Sequence, residues 1–205
     1  MPIVASQSQS LPRQNPPAGT HVARCYQVID LGTHDKVWEG QSKKKHEIRV
    51  SWELPTETAN FGKGHEEPFA VHKTYTLSLA DNATLRGDLE SWRGRPFSSA
   101  ELEGFDIAKL IGAPCMVTVA HVEKKGKTYA NVIAVVPVPK GMTVPVQVNP
   151  GIEYSIADHR QDIFDTLPEF IRELIETSDE WKSRGKIGAA PAAAASEAPD
   201  DDIPF

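Results

Sequence analysis

The sequence predicts a mainly β domain: a small barrel of five strands with a helix between the third and fourth, then a helical extension and a disordered tail. Three observations carry this. Five short runs are rich in β-branched and aromatic residues, one amphipathic helical stretch follows the third of them, and charge and composition change sharply beyond residue 150.

Residues 1–18 are rich in Ser, Gln, Pro and Asn without periodicity and are expected to form a flexible arm. The barrel is expected over 19–140. Residues 20–31 (THVARCYQVIDL), 46–54 (HEIRVSWEL) and 69–79 (FAVHKTYTLSL) are its first three strands, separated by Gly, Pro and charged clusters. Residues 82–93 (NATLRGDLESWR) place Leu85, Leu89 and Trp92 on one helical face despite Gly87. Ser98 and Glu101 have the spacing of a capping box, and Ile107, Leu110 and Ile111 precede a terminating Gly112, so further short helix is expected. Residues 114–122 (PCMVTVAHV) and 127–137 (KTYANVIAVVP) flank Glu123-Lys124-Lys125-Gly126, a hairpin signal.

Strand, strand, strand, helix, strand, strand is the order of an OB-fold, a five-stranded Greek-key barrel that binds oligonucleotides through a sheet face and its β1–β2 and β4–β5 loops. Small α+β sandwiches and SH3-like barrels fit nearly the same pattern, so order alone leaves them open. Beyond the barrel, residues 141–184 are expected to hold a Pro-punctuated extended stretch and then an amphipathic helix or helix pair broken at Pro168. Its apolar stripe includes Ile163, Phe164, Leu167, Phe170, Ile171, Leu174 and Ile175. That stripe either packs on the barrel or serves as a dimer or partner face. Residues 185–199 (GKIGAAPAAAASEAP) have nothing to bury and read as a disordered linker to the last six residues.

Composition narrows the function. The 205 residues carry a net charge of −6, unevenly placed: residues 1–150 hold 17 Lys+Arg against 15 Asp+Glu, whereas residues 151–205 hold 5 against 13. A slightly basic body with a strongly acidic tail suggests two different partners. There is neither a signal-peptide pattern nor an apolar run of roughly 20 residues, so a cytoplasmic protein without membrane association is expected. The two cysteines, Cys25 and Cys115, are expected to be reduced core residues, a single bridge being the alternative. No P-loop, nucleophile elbow, zinc-deaminase pattern or compact acidic ligand set is present; the chain is not expected to be an enzyme or to hold a metal or cofactor.

If the barrel forms, the loop between its first two strands spans residues 32–45 and contains Lys36, Trp38, Lys43, Lys44 and Lys45; the β4–β5 loop brings Lys124, Lys125 and Lys127. Single-strand binding also needs aromatic platforms, because every base has a π-face. Arg24 and Tyr26 share one face of the first strand, and Lys73 and Tyr75 one face of the third. With Arg49, Trp52 and Tyr129 these are the candidate DNA-contacting residues, although Ile48, Val50, Trp52 and Leu54 also have the alternation of a core face.

The chain ends Asp200, Asp201, Asp202, Ile203, Pro204, Phe205. Solubility accounts for the aspartates but not for two large apolar side chains on a polar tether. Each could yield roughly 1.5–3 kcal/mol if a partner buried it, and the aspartates would steer the encounter.

These six residues resemble the acidic tip of bacterial single-stranded DNA-binding proteins, residue for residue. The resemblance implies docking on host replication and repair proteins, with Asp200, Asp201 and Asp202 electrostatic and Ile203, Pro204 and Phe205 filling a pocket. The body instead resembles a family of tailed-phage replication-region proteins, over 19–33 (GTHVARCYQVIDLGT), 51–55 (SWELP), 73–79 (KTYTLSL), 85–97 (LRGDLESWRGRPF), 110–116 (LIGAPCM) and 126–132 (GKTYANV). That resemblance implies an OB-fold coating single-stranded DNA, in the host cytoplasm. The rival expectation is an interaction adaptor that uses the same tip without touching DNA. A homo-oligomer is compatible with either.

Overall fold

The computed structural model of the chain describes residues 14–184 apart from Glu39, and for Trp38 the backbone alone. Its main feature is a pair of 20-residue strands, β1 (Gly19–Trp38) and β2 (Gln41–Asn60), followed by β3 (Glu66–Thr76). The helices α1 (Thr84–Arg93) and α2 (Ser99–Glu103) and a 3-10 turn at Ile107–Leu110 come next. Then follow β4 (Pro114–Lys124), β5 (Lys127–Val136), the short β6 (Ile152–Tyr154), α3 (Gln161–Phe164), α4 (Glu169–Glu176) and α5 (Asp179–Arg184). The sheet order is β3-β2-β1-β4-β5, all neighbours antiparallel, with β6 added parallel to β1. The terminal strands β3 and β5 lie near each other but form no ladder, which leaves a seam.

Two cores share β1, and its bulges explain how. Before the register shift between Cys25 and Gln27, Ala23 and Cys25 point into the first core; after it the parity flips, Val28 faces that core, and Ile29 and Leu31 face the opposite side. The free edge of β1 is divided at the same place. Residues 19–24 pair with β4, and residues 27–29 pair with β6.

The first core contains Val50, Trp52, Leu54, Val71, Val117 and Val119, closed by α1 through Leu85, Leu89 and Trp92, the face the periodicity predicts. Burying those three side chains contributes roughly 1.5–3 kcal/mol each. α1 ends on Gly94 at φ 65°, and Ser98 and Glu101 form the expected capping box on α2. Cys25 and Cys115 are both buried and unbridged, and burial pushes the Cys25 thiol up to about 12.

The second core settles where the C-terminal stripe goes. Phe164, Leu167, Ile171 and Ile175 pack with Tyr154 and Ile156 onto Ile29 and Leu31, so the extension forms a layer on the outer side of the sheet. Pro168 separates α3 from α4 as its lack of an amide proton requires. Among the described residues, no helix is long and apolar enough to cross a membrane.

Two expectations need correction. Residues 32–45 are not a loop: β1 and β2 continue as a paired ribbon through His34 with Lys45, Lys36 with Lys43 and Trp38 with Gln41, turning at Gly40 with φ 77°. The ladder continues because each residue's amide groups find cross-strand partners, and charge alternation along a ribbon resembles a loop in composition. The arm is also not free throughout. Gln14 Nε2 donates to Asn60 O at 3.1 Å, Asn15 Nδ2 to Thr128 O at 2.9 Å, and His121 Nε2 to Pro16 O at 2.8 Å.

Candidate nucleic-acid interface

The basic and aromatic candidates separate into two groups, those the fold has used and those it leaves facing solvent. Arg24 belongs to the first. Its Nε donates to Pro145 O at 2.6 Å, its Nη1 to Gly112 O at 2.8 Å and its Nη2 to Val144 O at 3.4 Å, so the guanidinium clamps the chain that runs over the sheet. Glu53, opposite Arg24 in register, is fully buried and accepts from the Val148 and Asn149 amides and from Asn149 Nδ2, each at 2.7 Å. Tyr26 lies under the same cover; burial raises its phenol pKa, against the opposing effect of Arg49. Arg49 is itself covered by α4, its guanidinium 5.5 Å from the centre of the Phe170 ring, and desolvation lowers its pKa.

Two more of the aromatic candidates are core residues. Trp52 is 1% exposed and packs 6.0 Å from Trp92, as the Ile48–Leu54 alternation had allowed. Tyr75 is 4% exposed, and its hydroxyl donates to Asp88 Oδ2 at 2.7 Å. Lys73 pairs with that same carboxylate at 2.6 Å and lies 5.2 Å over the Tyr75 ring. The Lys73–Tyr75 pair inferred from period two is therefore a real contact, but it meets α1 rather than solvent, whereas Arg24 turns to residues 112, 144 and 145. Burial raises the Tyr75 phenol, and the adjacent Asp88 charge adds to the effect. Arg24, Tyr26, Arg49, Trp52, Lys73 and Tyr75 are thus corrected as an open binding face. The reason is common to all six: α1 and residues 138–184 cover both faces of the sheet where they stand.

The ribbon divides its cations. Lys36 pairs with Glu47 at 2.9 Å, and Lys44 pairs with Asp179 at the start of α5, which raises the Lys44 pKa. Lys43 and Lys45 are exposed and make no ion pair among the described residues. Trp38 is placed by its backbone only, opposite Gln41.

Lys124, Lys125 and Lys127 stand at the β4–β5 tip. Lys125 and Gly126 have φ of 52° and 70°, the paired positive values of a type I′ turn, and Lys124 faces Lys127 across the strands. All three are exposed and without ion pairs among the described residues, so the turn presents three like charges. Half-buried Tyr129 follows on β5 opposite Val122. The two lysine groups flank opposite ends of β1: the β4–β5 tip lies beyond Gly19, whereas the ribbon tip lies beyond Trp38. Residues 200–205 lie outside the described residues.

Sequence reasoning missed what ties the extension down. Glu53 and Asp30 are carboxylates inside strand runs; Asp30 bonds His46 Nε2 at 2.7 Å and accepts from the amides of Gly32 and Ile156. Thr33 donates through its amide and its hydroxyl to Glu180 at 2.7 and 2.5 Å. A carboxylate inside a run of apolar strand residues was the available signal that another chain segment would cover it.

At the seam lies a cleft of about 350 Å³ between β3, Phe61, Ala130 of β5, Asn149 and the arm residues Gln14, Asn15 and Pro16. No protein-family model and no curated protein matches the chain.

Proposed function

We propose that this chain is an OB-fold single-stranded DNA-binding protein of a phage replication or recombination system. It coats DNA without strong sequence preference and recruits host replication and repair enzymes through residues 200–205. Two features support the barrel assignment: the order β3-β2-β1-β4-β5, and a helix between β3 and β4 whose apolar face closes one end of the core. The observation that carries the nucleic-acid reading is the set of five exposed lysines on hairpin tips that make no ion pair among the described residues: Lys43, Lys45, Lys124, Lys125 and Lys127. Three of these share a tight turn, where their like charges would attract a polyanion.

A binding assay with single- and double-stranded oligonucleotides tests this. Neutralising the β4–β5 tip (Lys124→Gln, Lys125→Gln and Lys127→Gln together) is expected to weaken single-strand affinity by about tenfold or more at low salt. The slope of log affinity against log salt should become shallower by about 2, near 0.7 for each lost phosphate contact. An unchanged slope would remove the tip from the interface.

The tip has its own expected result. Deleting Phe205 leaves oligonucleotide affinity unchanged and abolishes capture of the host enzymes, since its apolar burial is roughly 1.5–3 kcal/mol of a modest total. Equal loss of both activities would contradict the division of labour. A second reading, an adaptor that reaches host enzymes without touching DNA, is favoured by the burial of Trp52 and Tyr75. It requires the wild-type chain to bind neither oligonucleotide.

A further inference from the structure

The outer face of β1 and β2 is occupied by the chain itself, so a bound strand has to find its base contacts elsewhere. At the seam, polar side chains and an aromatic ring meet around an open volume, close in sequence to the lysines of the β4–β5 tip. The arm builds one wall of it. Its bonds to Asn60 at the end of β2 and to Thr128 beside the β4–β5 tip stretch residues 14–16 between two hairpins. Thr128 immediately follows Lys127, so the wall begins one residue from the cluster of unpaired lysines.

Three side-chain amides, of Gln14, Asn15 and Asn149, line the wall. Gln14 and Asn15 each direct one side-chain N–H to those two backbone carbonyls, and Asn149 directs one to Glu53. None of the three side-chain carbonyl oxygens has a hydrogen bond within the described residues, leaving three acceptors at the cleft. Phe61 supplies the aromatic surface, held edge-on by Phe69 at 5.2 Å and 89°. A cleft of about 350 Å³ is at the small end of ligand sites, which run from about 300 to 1,000 Å³, so it suits one base and excludes a duplex.

We propose that the β3–β5 cleft receives one unstacked nucleobase of a bound single strand, against Phe61, with Gln14, Asn15 and Asn149 accepting hydrogen bonds from it. The proposal rests on the single-strand reading above. Three carbonyl oxygens without a hydrogen bond among the described residues favour a base with an exocyclic amino group: cytosine offers an N4 donor where thymine offers an O4 acceptor. The lysines of the tip hold the neighbouring phosphates, and the cleft adds a modest base preference to otherwise indifferent coating.

The test compares oligo-dC and oligo-dT of equal length on the full chain. Wild type is expected to bind oligo-dC about threefold more tightly than oligo-dT. Ala70→Phe fills the cleft from an exposed β3 position without touching either core. It should weaken oligo-dC binding by about tenfold, the loss of one stacked base, and erase the preference at an unchanged salt slope. Phe61→Leu keeps apolar volume beside Phe69 and should give the same result, so a folding defect in one variant does not decide the matter. Wild-type binding with Ala70→Phe and Phe61→Leu equal to wild type overturns the cleft while leaving the single-strand reading standing. A wild-type chain that binds neither oligonucleotide overturns both.

Discussion

Replacing Glu53 with alanine is expected to lower the unfolding free energy by about 3–5 kcal/mol, the range for removing one partner from a buried charged network. The carboxylate has no contact with solvent and receives three donors, two of them main-chain amides of the segment that crosses the sheet. Without it, those donors face an apolar sheet and each costs the desolvation penalty of an unmade bond. Glu53→Gln should be intermediate, because the amide keeps one acceptor oxygen but turns N–H groups toward other donors. Denaturant unfolding measures the loss, and hydrogen exchange at the Val148 and Asn149 amides locates it. A loss below about 1 kcal/mol would mean that residues 144–149 are held mainly by Arg24.

Gly32→Ala should cost about 3 kcal/mol, in two separable parts. Gly32 has φ 79°, where a side chain costs about 1–2 kcal/mol on backbone grounds. A β-carbon there would also stand 2.5 Å from Ser178 Cβ and 2.8 Å from Ile156 Cδ1, at the point where the start of α5 presses on β1. Such overpacking adds about 1–3 kcal/mol. Gly40→Ala isolates the first part, because Gly40 has nearly the same φ, 77°, with nothing among the described residues within 4 Å of the added carbon. Thermal unfolding of the two variants therefore gives the close approach by difference. The Gly32 variant should also change the fluorescence of Trp181, which stacks on Phe164 at 4.8 Å in the layer that would be displaced. Equal destabilisation of the two variants would show that the extension yields freely at Ser178.

Both variants probe the same feature: the extension packs on and hydrogen-bonds to the outer face of β1 and β2. That explains which candidate residues were legible. The β4–β5 turn was, since Lys124, Lys125, Gly126 and Lys127 follow a purely local rule for turns between paired strands. The helix face of Leu85, Leu89 and Trp92 was equally readable from spacing. Arg24, Tyr26 and Arg49 were not, because period two assigns a side chain to a face but says nothing of what lies on that face. The ribbon was misread as a loop for a related reason. Its lysines have the composition of a loop, and only pairing between residues 32–38 and 41–47 makes it a strand.

What the sequence determined by itself is the set of properties carried by neighbours along the chain: the strand and helix order, the capping box, the break at Pro168, the turn with its three lysines, and the opposition of a basic body and an acidic tail. What only the tertiary structure decided is availability. Glu53 is buried because residues 148 and 149, about a hundred positions later, come back to it. Tyr75 points inward because Asp88 of α1 receives its hydroxyl, and the cleft exists because the arm reaches from Asn60 to Thr128. Such contacts join residues far apart in the chain, and local periodicity carries no information about them.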